Sequence, residues 1–73
     1  MKHKNTLNIV RKIIVDSKAD NEAFGKMCRS FSELEFYISM LEGAESRNDT
    51  EGIERYNHII NENVTIITIL GLQ

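Results

Sequence analysis

The stretch FGKMCRSFSELEFYISML, residues 24–41, decides the fold. Phe24, Met27, Phe31, Leu34, Ile38 and Leu41 recur in it at spacings of 3, 4, 3, 4 and 3, an apolar seam held over nearly three heptads. An α-helix puts residues so spaced on one line, and that line needs a second helix against it. The stretch also holds more large apolar groups than the seam can use. Phe36 and Met40 project to the far side of the helix from Leu34, with Tyr37 between the two groups.

The facing helix is supplied downstream. GAESRNDTEG, residues 43–52, breaks the pattern with turn-forming residues, and Asn48 followed three places later by Glu51 makes a capping-box-like helix start. Ile53, Tyr56, Ile60, Ile67 and Leu70 then repeat the seam spacing, with Asn63 in the missing slot. Two long helices joined by a short turn pack as an antiparallel hairpin. NVTIITIL, residues 63–70, is rich in β-branched residues and suits a strand as well as a helix. Helix is the better reading, because the apolar arc runs on from Ile53 to Ile67 and a lone strand would have nothing to pair with.

Upstream, Asn5 is an acceptable N-cap for a first helix carrying Leu7, Val10, Ile13 and Ile14 on one side and ending near Asp16. Asp20 or Asn21 can cap the second helix, with Glu22 well placed against its dipole. The chain contains no proline to interrupt these elements. The expected architecture is all-α: one domain over residues 1–73, with helices at about 6–16, 21–45 and 50–70, in which a hairpin of two long helices follows a shorter N-terminal helix.

A chain of 73 residues has a marginal core and ordinarily leans on disulfides, metals or oligomerisation. The single cysteine, Cys28, cannot close an intrachain bridge, and His3 and His58 form no metal-ligand spacing with it. Self-association is the stabiliser left, and a homo-oligomer is expected. Two arrangements would cover Phe36 and Met40: the first helix folding back over them, or another chain. The second is preferred, which assigns Phe36, Tyr37 and Met40 to a partner or oligomer interface. Leaving one phenylalanine exposed forfeits only ~1.5–3 kcal/mol, yet that is a large share of a small domain's stability.

The net charge of −2 argues against nucleic-acid binding by the whole chain. Its distribution is uneven, with five Lys/Arg against one acid in residues 1–18 and four against ten thereafter. Lys4, Arg11 and Lys18 are seven apart, so a helix reaching both ends would line them in one stripe with Lys12 alongside. That stripe can hold phosphate groups, though a solvated face is the commoner explanation. Tyr37 and Tyr56 are candidates for stacking on a base. No helix-turn-helix with a basic recognition helix is evident. The apolar run after the basic start is split by Arg11 and Lys12, and the C-terminal apolar run falls short of a membrane span, so a soluble, cytoplasmic protein without membrane attachment is expected.

Catalytic constellations are not apparent. Glu33 and Glu35 lie two apart on a helix and point apart, His58 falls on the polar side of the third helix, and Cys28 beside the seam reads as a small buried hydrophobe. No cofactor and no metal are expected. In size and architecture the chain resembles the small multimerising helical hairpins found among accessory proteins of bacteriophages and plasmids. These include inhibitors of host enzymes and sponges for signalling nucleotides. The resemblance carries no residue motif and transfers no site. The residues themselves are read as those of a small non-enzymatic binding module that regulates or inhibits a protein partner. An alternative is an oligomeric binder sequestering an anionic nucleotide between subunits through Lys4, Arg11, Lys12 or Lys18. A DNA-binding regulator is a third and weaker possibility.

Overall fold

The computed structural model describes residues 3–72 and contains three helices: α1 (Lys4–Asp16), α2 (Asn21–Ser46) and α3 (Thr50–Gly71). The seam does what its spacing requires. Met27, Leu34, Ile38 and Leu41 of α2 are buried against Ile60 and Ile67 of α3, forming one cluster with Val10 and Ile14 of α1. Phe31, Tyr37, Ile53, Tyr56, Val64 and Leu70 pack around this cluster while keeping part of their surface in water. Phe24, the first seam residue, remains exposed. It sits only three residues into α2, near the end of the hairpin.

Caps fix the helix boundaries, in two places not where the sequence suggested. α1 begins one residue before Asn5, which lies inside the helix; His3 takes the N-cap position without a side-chain cap bond. The helix is held instead by its buried face, Val10 and Ile14, and its first turn closes through Leu7 N–H donating to His3 O at 3.3 Å. At the head of α2, Asp20 accepts from Ala23 N–H at 2.9 Å, with Glu22 in the first turn. Asn48 does not start α3. It takes a left-handed conformation (φ 55°) that ends α2, and Asp49 becomes the cap of α3, accepting from Gly52 N–H at 3.1 Å. Asparagine tolerates that conformation better than most residues, which frees the neighbouring aspartate to cap.

The β-branched C-terminal segment is helical as far as Gly71, with no strand among the described residues. Thr65 and Thr68 turn their hydroxyls inward along the helix, donating to Asn61 O at 2.8 Å and Val64 O at 2.7 Å. These i to i−4 bonds satisfy the hydroxyls without help from another element.

α1 runs antiparallel to α2. His3 Nε2 lies 3.5 Å from Glu45 Oε1 at one end, and at the other Ile13 closes on Gly71. Between these points the Arg11 guanidinium lies over the Phe31 ring, 5.4 Å from its centroid. α1 therefore covers the Phe31 side of the hairpin. The bundle measures 41 by 19 by 15 Å across its Cα positions.

Candidate functional site

Among the described residues, no element covers the side of the hairpin away from α1. Phe36 is 57% exposed and Met40 37% exposed, so α1 folds back onto the hairpin without reaching either. At roughly 100° per residue both project away from Phe31, the residue that Arg11 covers. Tyr37 connects this exposed edge of α2 to α3. Its ring meets Phe36 edge-on at 5.1 Å between centroids (82°) and leans on Tyr56 of α3 at 6.1 Å (36°). Such pairs contribute about 0.5–1.5 kcal/mol beyond their buried area, so Phe36 is held in a defined place.

The same side of α3 adds residues that sequence reasoning passed over. Ile59 is half-buried and Ile66 exposed. They lie seven apart, one position before Ile60 and Ile67 of the seam, and that second stripe was visible in the spacing. Further along, Lys26, Arg29, Ser30 and Glu33 of α2 face Asn63, Ile66 and Leu70 of α3 across an open groove of about 320 Å³. Asn63 is only 4% exposed, and its amide Nδ2 donates to Ile59 O at 3.1 Å within its own helix.

The candidate anion-binding residues do not form one stripe. Lys4, Arg11 and Lys12 are on α1, but the helix ends at Asp16, and Lys18 lies in the connection to α2. Seven-residue spacing aligns side chains only where the helix persists. Arg11 is also engaged by Phe31. Lys2, which contributes to the basic N-terminal charge, lies outside the described residues. Tyr37 and Tyr56, the candidate stacking residues, are adjacent and partly occupied by each other.

Cys28 is exposed rather than buried, because it sits a third of a turn past Met27, beyond the seam. His58 is exposed on the outer edge of α3, 2.9 Å from Glu62. Among the described residues no three His, Cys, Asp or Glu side chains gather where they could hold a metal ion. A second apolar area lies where α1 meets the end of α3. Ile9, Ile13 and Leu72 line a groove of about 360 Å³ there, with Lys12 and Asp16. No described helix is long and apolar enough to cross a membrane.

The fold and this side of it define a class: an all-α hairpin with an N-terminal helix on one face and an aromatic, apolar edge on the other. No family model, no curated protein and no solved structure matches the chain.

Proposed function

We propose that this chain is a small non-enzymatic, cytoplasmic binding module that works as a homo-oligomer and regulates or inhibits a protein partner. The observation that supports the reading is the exposure of Phe36 and Met40 beside the Tyr37–Tyr56 contact, on a chain whose own N-terminal helix packs on the other side, over Phe31. Large apolar groups held in place at a surface are what an interface offers a partner.

The test is recovery of the tagged chain from its own cell, followed by mass spectrometry of proteins and small molecules together. The reading expects a stoichiometric protein partner recovered with the oligomeric chain, and expects the Phe36→Glu, Met40→Glu double variant to lose that partner together with its self-association while remaining helical. A nucleotide recovered in place of any protein would replace the reading with that of an anionic-ligand binder.

A further inference from the structure

We infer that the hairpin face opposite α1 docks a second copy of this chain, α2 of each copy lying antiparallel on α3 of the other. The inference rests on the self-association in the proposed function and assigns it a face and a register.

Size is the first argument. The chain exposes 5166 Å², whereas a folded monomer of its length ordinarily exposes about 4,600 Å². The surplus fits a molecule that is half of a larger bundle. A face running the 41 Å length of the hairpin and 15 to 19 Å wide offers on the order of 600–800 Å², close to what each partner contributes to a standard stable interface.

Charge is the second. The face carries Lys26, Arg29 and Arg55 against Glu22, Glu33 and Glu62, so it has no net charge to select a strongly acidic or basic partner. It is suited to meeting itself. Tyr37 opposite Tyr56, and Ser30 sharing a groove with Asn63, set the level of the two helices: Phe36 stands level with Asn57, and Arg29 with Val64. A two-fold axis along the hairpin then brings Phe36 and Met40 of one copy onto Tyr56 and Ile59 of the other. The same operation places Arg29 beside Glu62 and Ile66 of the second copy. Apolar groups meet apolar groups, and the pair at the rim has opposite signs.

The experiment uses the full chain in a Cys28→Ser background, since Cys28 is exposed. Phe36→Cys chains are mixed with Ile59→Cys chains under mild oxidation, and separately the charges at 29 and 62 are reversed. The inference expects a disulfide-linked mixed dimer that neither variant yields alone. It also expects Arg29→Glu or Glu62→Arg to weaken dimerisation roughly tenfold or more, and the double reversal to restore most of the affinity. If the chain dimerises with neither the mixed crosslink nor the rescue, the face and register are overturned while self-association stands. If the unmodified chain is monomeric at high micromolar concentration, both fail, and the face belongs to a different protein.

Discussion

Asp49 and Gly52 are fitted to each other. One carboxylate oxygen of Asp49 accepts the Gly52 N–H at 3.1 Å, while the other occupies space that a Cβ at position 52 would enter at 2.6 Å. The same Cβ would stand 3.3 Å from Ala44 Cβ at the end of α2, so Gly52 also sets how closely the two long helices meet. Asp49→Ala should cost about 1 kcal/mol, the usual worth of such a cap. Gly52→Val should cost about 2 kcal/mol, since it displaces the cap and crowds Ala44. Because the second change already breaks the first interaction, the double variant should melt close to Gly52→Val alone. Additive losses in thermal or urea unfolding would show that the two positions act independently.

Asn48 supports the turn in a different way. With φ at 55° it carries a side chain in a conformation that glycine adopts without cost. Asn48→Gly should leave stability unchanged or raise it by a few tenths of a kcal/mol, whereas Asn48→Val should lower it by about 1–2 kcal/mol. Equal melting curves for the two variants would mean that the turn rearranges when residue 48 changes.

Most of the fold was legible because the apolar spacing is strong. The seam from Met27 to Leu41 needed no tertiary information to be placed, and Ile53 to Leu70 supplied its complement. The turn chemistry was read one residue early, since Asn48 and Asp49 are both competent caps and only the left-handed backbone at Asn48 separates their roles. Cys28 was misplaced because its neighbour Met27 belongs to the seam, and one residue turns a side chain by about 100°. The exposed edge at Phe36 and Met40 could be read from phase alone. What covers it could not, because phase shows which side chains the chain's own seam leaves over and says nothing about another molecule.

The exposed edge gives a direct prediction. Phe36→Glu combined with Met40→Glu should convert an oligomer into smaller species of nearly unchanged helicity, because neither residue belongs to the buried cluster that joins the three helices. Losing the edge-on contact between Phe36 and Tyr37 should lower the stability of the isolated chain by about 0.5–1.5 kcal/mol and leave it folded. Light scattering and circular dichroism on the same samples decide the matter. Loss of helicity without a change of assembly state would place these residues in the internal core and remove the interface.

Asn63 poses the sharpest question about the hairpin interior. It occupies a seam position between Ile60 and Ile67, is almost fully buried, and spends its amide on Ile59 O, a carbonyl of its own helix. A buried amide costs stability unless its hydrogen bonds replace those it makes with water, and a bond to a carbonyl that the helix ladder already uses replaces little. Leucine has nearly the same shape. Asn63→Leu should therefore stabilise the chain by about 1 kcal/mol, which in a domain of this size raises the melting temperature by roughly 4–8 °C. The reason to keep a polar group there would be specificity. Asn63 lines the groove with Lys26, Arg29 and Ser30, beside the face assigned to the second copy, and a lone seam asparagine is a known means of fixing register or oligomer number. The leucine variant should accordingly show a broader range of assembly states by native mass spectrometry while melting higher. A lower melting temperature would mean that the amide serves a hydrogen-bond network or a ligand. A higher one with a single unchanged assembly state would remove any role for Asn63 in choosing the oligomer.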